Sequence, residues 1–141
     1  MASVAYLRGM EAILSGSVNL GTVTVRAMLT TAAYVENRTT HAFRSDVNGE
    51  VPAGAGYATG GRSVAVTVTR DEGTNNVVIT FAGATWTAPA GATLVARKLV
   101  YYASTGGAST DRLLLVNDFG SDRSAVNQDL AVGASTLRYG V

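Results

Sequence analysis

The chain has 141 residues, of which 47% are apolar and 15% charged, and its 11 basic and 10 acidic residues leave a net charge of +1. A domain of about this length buries roughly 70% of the surface that its unfolded chain exposes, so residues 1–141 predict one folded domain rather than a disordered chain. The balanced charge excludes an electrostatic footprint for nucleic acid, and the absence of cysteine excludes disulfides and thiol chemistry.

The N-terminal part, residues 1–16, contains the one pattern that predicts a helix. Its apolar residues recur at helical spacing, namely Val4, Leu7, Met10, Ile13 and Leu14. Ser3 is a candidate N-cap and Gly16 a candidate stop. Gly9 lies inside the pattern and costs about 1 kcal/mol relative to alanine, so we expect the helix to depend on packing. This region does not resemble a signal peptide, and no apolar run approaches the roughly 20 residues of a membrane helix, so we expect a soluble protein made in the cytoplasm, without a membrane partner.

Strand patterns begin after Gly21. The run 22–31 is rich in β-branched residues and places Val23, Val25, Ala27 and Leu29 on one face. The run 62–69 alternates valine with serine and threonine, which is typical of a half-buried strand. A turn over 71–75 leads to a second alternating run over 77–81, so the two runs predict an antiparallel hairpin.

The C-terminal half contains further strand patterns separated by turns. The predicted strands are 84–87, 93–103 (the longest) and 113–118, followed by a turn over 119–123 and two weaker segments, 124–132 and 136–141. About seven strands with turns roughly every 8–12 residues predict a mainly β fold. The predicted architecture is a single antiparallel β-sandwich or a jelly-roll-like barrel with one N-terminal α-helix, and both remain open because periodicity does not encode strand order.

The segment 35–61 is a long connection between two strand patterns, and its part from Thr39 to Gly61 contains the chain's one histidine. Because loops this long in small domains are usually functional, the segment is either a chemical site or an element that docks onto another protein. A metal site built on His41, Asp46 and Glu50 would need a further ligand and supporting hydrogen bonds. Ser-His-Asp catalysis would need a serine in a nucleophile-elbow setting, which the chain lacks. We therefore interpret His41 as a polar loop residue bonded to neighbouring backbone.

Paired carboxylates are a second route to chemistry, because glycoside hydrolysis needs only two of them. The candidate pairs are Asp46 with Glu50, Asp71 with Glu72, and Asp118 with Asp122. The second and third pairs lie in or beside turns, where aspartate commonly bonds its own backbone. The glycines of 54–61 look like a phosphate loop, yet they precede a strand and no Lys-Ser/Thr step follows, so we assign them to turn conformations. We expect no enzymatic activity, no cofactor and no metal.

The aromatic residues are candidates for stacking or for the core. Trp86, Tyr101 and Tyr102 have the ring chemistry to stack on sugars or bases, but Trp86 lies among small residues and is better explained as a core or sheet-edge anchor. Phe43 and Tyr57 lie in the long loop and are the better candidates for a contact surface.

A series of short motifs, in a fixed order, resembles a family of small tailed-bacteriophage virion proteins. In that family a strand ending in Leu-Thr-Ser-x-Tyr precedes Thr-His-x-Phe-x-Ser-Asp, Glu-Val, Gly-Tyr-x-x-Gly-Gly, a Thr-Trp-Thr step and Asp-Phe-Gly. The matching segments here are 29–34, 40–46, 50–51, 56–61, 85–87 and 118–120. The resemblance covers nearly the whole chain, with a departure at Thr31-Ala32-Ala33 before Tyr34.

The resemblance implies a non-enzymatic capsid decoration (cement) protein, β-rich and often trimeric, that sits on the shell of the major capsid protein in the virion. Our hypothesis is that four residues of the docking loop 35–61 make such contacts: Phe43, Arg44, Asp46 and Tyr57. An alternative is a receptor- or glycan-binding module of a phage tail or fibre, which predicts an exposed aromatic platform around Trp86, Tyr101 and Tyr102. A third reading is a small glycan-cleaving enzyme that uses a carboxylate pair.

Overall fold

The computed structural model describes residues 2–141, and within them the chain forms ten strands and one α-helix. In chain order these are β1 (Ala2–Ala5), α1 (Leu7–Leu14), β2 (Thr24–Thr30), β3 (Arg62–Val64), β4 (Val66–Asp71), β5 (Asn76–Phe81), β6 (Ala84–Thr87), β7 (Thr93–Ser104), β8 (Arg112–Val126), β9 (Asp129–Val132) and β10 (Ser135–Gly140). The predicted class is confirmed, because the fold is mainly β, sandwich-like and antiparallel, with one N-terminal helix.

The strands form three antiparallel sheets. The large sheet has the order β1-β8-β7-β2-β3, and the smaller ones are β10-β5-β4 and β6-β9. One face of the large sheet packs against the two smaller sheets, and the main core lies between these layers. Within that core the rings of Phe81 and Tyr101 lie 5.0 Å apart, which joins β5 to β7. This layered burial is the arrangement that a sheet with an apolar face requires.

The opposite face of the large sheet is buried as well. A second cluster on that face contains Tyr6, Met28, Tyr34, Val100, Tyr102, Leu113 and Val116, with Val47 packed against it. Tyr34 and Val47 come from the segment between β2 and β3, so this long loop covers the outer face of the sheet. Burial on both faces explains why β7 and β8 contain almost continuous apolar runs instead of an alternating pattern.

The N-terminal helix is shorter than the sequence predicts. It spans Leu7–Leu14, whereas residues 2–5 form β1 and pair with β8, Ala5 lying opposite Leu115. Ser3 is therefore a strand residue, and the prediction that it caps the helix is wrong. Gly16, with φ of +86°, ends the helix as predicted. At Gly9 an added Cβ would lie 2.0 Å from the Leu113 carbonyl oxygen, so this glycine lets the helix pack directly on β8.

Two further strand predictions are wrong, one where the chain passes from one sheet to another and one where a strand bulges. The run 62–69 is not one strand, because it divides at Ala65 into β3 of the large sheet and β4 of a small sheet. The predicted turn over 119–123 lies inside β8, which at 15 residues is longer than β7. Asp118 pairs with Lys98 and Arg123 pairs with Ala96, so residues 119–122 bulge out while the strand continues. The predicted hairpin of β4 and β5 is confirmed.

Candidate protein-contact surface

The first half of the long loop is fastened to the edge of β8. The Leu113 N–H donates to the Ala42 carbonyl at 2.9 Å, and the Arg44 N–H donates to the Asp111 carbonyl at 2.8 Å. Residues 42–44 therefore pair with the beginning of β8 in the manner of a short strand. These backbone bonds hold the loop against the sheet instead of leaving it free in solvent.

The second half of the loop is fastened to the edge of β2. The Val51 N–H donates to the Leu29 carbonyl at 3.0 Å, and the Leu29 N–H donates to the Tyr57 hydroxyl oxygen at 3.1 Å. The Tyr57 hydroxyl donates to Glu50 Oε1 at 2.7 Å, and the same oxygen accepts the Gly60 N–H at 2.6 Å. Burial raises the pKa of Tyr57 above its ordinary value, and the bond to Glu50 raises it further.

Tyr57 is therefore an anchor of the loop. Its side chain is 3% exposed and its ring lies 6.0 Å from that of Trp86, which leaves it no surface to offer a partner. The expectation that Tyr57 contacts another protein does not fit this placement. The residue type and the loop position suggested exposure, but the hydroxyl is needed at the unpaired edge of β2.

Arg44 and Asp46 also have partners within the chain. Asp46 Oδ2 accepts the Phe43 N–H at 3.0 Å and the Ala42 N–H at 2.8 Å, and these two bonds lower the pKa of Asp46. Arg44 Nε lies 2.9 Å from Asp111 Oδ2, and its guanidinium group lies 5.2 Å from the centroid of the Tyr102 ring. The two side chains thus close a turn and join the loop to the sheet.

Burial and hydrogen bonding act in opposite directions on the pKa of Asp111, the partner of Arg44. Burial by itself would raise the pKa of Asp111, but the Thr105 N–H at 2.7 Å and the Arg44 guanidinium lower it below its ordinary value. Phe43, the fourth predicted contact residue, is half-buried and has the Arg112 guanidinium 4.4 Å from its ring centroid. Of the four, Phe43, Arg44 and Asp46 reach the surface, and each already has an intramolecular partner.

His41 has the role predicted from the sequence. Its Nδ1 accepts the Asn37 N–H at 3.2 Å and lies 3.0 Å from the Tyr34 hydroxyl, which lies 2.7 Å from the Tyr6 hydroxyl. Burial raises the pKa of Tyr34 to about 12. The interpretation of His41 as a polar loop residue bonded to nearby backbone is confirmed. Across residues 2–141, no three His, Cys, Asp or Glu side chains are grouped in a way that would hold a metal ion.

The other carboxylate pairs lie at the end of β4 and at the bulge within β8. Asp71 Oδ2 lies 3.3 Å from Arg138, while its neighbour Glu72 is exposed. Asp118 Oδ1 accepts the Gly120 N–H at 2.8 Å and pairs with Arg97 at 2.9 Å. The predicted backbone bonding of Asp118 is therefore confirmed.

A buried ion pair escaped the sequence analysis. Lys98 lies in β7, is 7% exposed, pairs with Glu36 and donates to the Tyr34 carbonyl at 3.0 Å. Its Nζ lies 5.7 Å from the centroid of the Tyr34 ring. The sequence contains one feature that could have indicated this ion pair: the chain's one lysine lies within its most apolar strand pattern. The pair fixes the start of the long loop on the outer face of the sheet.

The three aromatic residues that a glycan platform would need are core residues. Trp86, Tyr101 and Tyr102 are 2%, 0% and 2% exposed. The Tyr101 hydroxyl donates to the Ala82 carbonyl at 3.0 Å, and the Tyr102 hydroxyl donates to the Gly60 carbonyl at 2.6 Å. The interpretation of Trp86 as a core anchor is confirmed, and these rings present no face for stacking on a sugar.

A groove beside the end of α1 has a mostly apolar lining. It has a volume of about 600 Å³ and lies between the end of α1, with the turn that follows it, and the β10-β5-β4 sheet. Three of its lining side chains are largely exposed, Leu14 at 71%, Val68 at 54% and Val141 at 99%. Exposed apolar side chains grouped in this way make the groove a candidate contact surface.

The lining of this groove has a distinct chemistry. Ile13, Val77 and Ile79 belong to its lining, and none of the described lining side chains is charged. The Tyr139 hydroxyl is buried in the wall without a hydrogen-bond partner among residues 2–141, and burial raises the pKa of Tyr139. The groove is therefore suited to apolar side chains rather than to a charged ligand. Sequence reasoning missed it, because its walls come from segments more than 100 residues apart along the chain.

The fold is mainly β and sandwich-like, and one of its grooves has a mostly apolar lining without charged side chains. No protein-family model matches the chain, and comparisons with curated proteins and with solved structures likewise find no match. In the part of the chain that the structure describes, α1 is too short to cross a membrane, and no other helix meets the length and apolarity that crossing requires.

Proposed function

We propose that this protein is a non-enzymatic structural component of a bacteriophage virion, a decoration protein that binds the assembled shell of major capsid protein and stabilises it. The observation that carries the proposal is the apolar groove, which has no charged side chain in its lining and has Leu14 and Val68 exposed beside it. Such a surface is typical of protein contacts. The motif order that resembles small phage virion proteins supports the same role.

The proposed mechanism is thermodynamic linkage. A protein that binds the assembled shell but not its dissociated subunits stabilises the shell by mass action. A homotrimer would bring three grooves to the capsid surface together, so that weak individual contacts add through effective concentration. The protein would be made in the host cytoplasm and would reside on the capsid surface, with no nucleic acid or membrane partner.

The groove, rather than the long loop, is the contact surface in this proposal. Phe43, Arg44 and Asp46 are engaged in holding the loop on the large sheet, and Tyr57 is buried. The loop therefore covers the outer face of the large sheet. Leu14 and Val68 are 71% and 54% exposed, so both would gain from burial against a second protein, at roughly 25 cal/mol per Å² of apolar surface.

The test compares two valine substitutions with matched exposure. Val68 in the groove is 54% exposed and Val126 at the other end of the large sheet is 53% exposed. Capsid particles assembled from the major capsid protein of the same genome are mixed with wild type, V68D or V126D, and the bound protein is quantified after sedimentation. We expect V68D to lose occupancy while V126D retains it.

Two results would contradict the proposal. Wild-type occupancy by both V68D and L14D would remove the groove from the proposal, and absence of the wild-type protein from purified virions would remove the virion role. Circular dichroism establishes that each variant is folded before it is used. Light scattering on the wild type separates a trimer from a monomer.

A further inference from the structure

The step Asn48-Gly49 has an unusual setting in the long loop. It is the only Asn-Gly step in the chain. Asn48 is exposed, and it lies between Val47, which packs on the outer-face core cluster, and Glu50, which belongs to the Tyr57 network. The asparagine amide thus lies in solvent on a segment that is fixed on both sides.

The fold requires a glycine at position 49. Gly49 has φ of +90°, a conformation that residues with a Cβ rarely adopt. An added Cβ would also lie 3.0 Å from the backbone nitrogen of Tyr34 and 3.3 Å from the Ala33 Cβ. The side chain that would normally shield the backbone nitrogen after Asn48 is therefore excluded by the packing of the loop.

Within residues 2–141, the Gly49 carbonyl accepts hydrogen bonds, whereas the Gly49 backbone nitrogen donates none. The Gly49 carbonyl accepts the Thr31 N–H at 2.8 Å and the Thr31 hydroxyl at 3.1 Å. The Gly49 N–H, in contrast, donates to no acceptor within residues 2–141. It is a nitrogen without a neighbouring side chain, one residue after an exposed side-chain amide, and both features favour intramolecular cyclisation.

We propose that Asn48 is a site of spontaneous deamidation through a cyclic imide. The Gly49 nitrogen loses its proton and attacks Cγ of Asn48, a new N–C bond forms, and the side-chain nitrogen leaves as ammonia. Water then adds to one of the two imide carbonyls and opens the ring. One opening yields aspartate at position 48, and the other yields isoaspartate, in which the main chain runs through the former side chain.

The modification changes the loop in two ways. Either product adds a negative charge beside Asp46 and Glu50, and isoaspartate also lengthens the main chain by one methylene. The lengthening falls between packed Val47 and the Gly49 carbonyl that holds Thr31. We therefore expect the Thr31–Gly49 hydrogen bonds to break in the isoaspartyl form, which loosens the cover on the outer face of the large sheet.

The test follows the folded wild-type protein during incubation at neutral and mildly alkaline pH. Peptide mass spectrometry should locate the mass gain of amide-to-acid conversion at Asn48, ahead of the other six asparagines, and faster at the higher pH because the attacking nitrogen must be deprotonated. N48Q is the matched control, because its longer side chain would have to close a less favourable six-membered ring. It should show no comparable gain at this position.

A second measurement separates charge from chain length. Hydrogen exchange at the Thr31 amide should accelerate in aged wild-type protein but stay near the unaged rate in N48D, which carries the charge without the extra methylene. Retention of the Asn48 amide in the folded protein, while an unfolded peptide with the same sequence converts, would overturn the proposal. Conversion at other asparagines at an equal rate would overturn it as well.

Discussion

The phenolic oxygen of Tyr57 lies 3.1 Å from the backbone nitrogen of Leu29 and substitutes for a strand that β2 lacks at this point. β3 pairs with β2 only from Val25 to Ala27, so beyond that position the edge of the large sheet would have an unpaired N–H group. A buried donor without a partner is costly, and the tyrosine hydroxyl satisfies it while bonding to Glu50 on its other side.

Replacing Tyr57 by phenylalanine should lower the free energy of unfolding by about 1–3 kcal/mol, because the Leu29 N–H and the Glu50 carboxylate both lose the hydroxyl. Urea unfolding of the wild type and Y57F measures the difference. Y139F is the matched control, since the Tyr139 hydroxyl has no partner in the described part of the chain, and its stability should stay close to that of wild type. Equal losses in the two variants would contradict this role of Tyr57.

Replacing Gly9 by alanine should lower the free energy of unfolding of the protein. In an isolated helix the same replacement would stabilise the helix by about 1 kcal/mol. The new Cβ would meet the Leu113 carbonyl oxygen at 2.0 Å, and relieving such overpacking typically costs about 1–3 kcal/mol. Thermal and urea unfolding provide the measurement. E11A, on the exposed side of the same helix, should change stability by no more than about 0.5 kcal/mol. A more stable G9A would show that α1 does not pack on β8 as described.

Stability should fall in acid through Asp46 and Asp111. The folded-state pKa of each is lowered, by backbone N–H bonds at Asp46 and, against the effect of burial, by the Thr105 N–H and Arg44 at Asp111. Each carboxylate therefore contributes stability above its unfolded pKa of about 3.9, and this contribution is lost as the pH falls through the lower folded value. Urea unfolding from about pH 2 to about pH 7, a range that spans the ordinary aspartate pKa of about 3.9, measures this loss of stability. D111N should be less stable at neutral pH and show a shallower acid decline, whereas an unchanged slope would exclude Asp111 as a contributor.

Trp86 should report burial in the native protein. It is the chain's one tryptophan and is 2% exposed, so its fluorescence emission should be blue-shifted and protected from iodide quenching until the protein unfolds. Addition of oligosaccharides should leave the emission unchanged, because the ring has no exposed face. Full quenching of the folded protein by iodide would contradict the burial of Trp86.

Local patterns were sufficient for features that depend on nearby residues. The hairpin of β4 and β5 follows from two alternating runs around a turn, and Gly16 ends α1 because its positive φ suits a helix stop. Asp118 bonds the N–H two residues ahead, and His41 bonds the backbone of Asn37, both within a few residues of chain. In each case the interacting groups are held close by the chain itself.

The sequence by itself thus determined the mainly β class, the helix near the N-terminus and the absence of cysteine chemistry, because composition and short-range periodicity are properties of the chain. Only the tertiary structure decided that residues 2–5 join β8, that the run 62–69 divides between two sheets, and that Tyr57 is buried. It also brought Leu14, Val68 and Val141 to one groove. These outcomes depend on which distant segment covers each apolar face and pairs with each strand edge, and that competition between long-range partners leaves no periodic trace in the sequence.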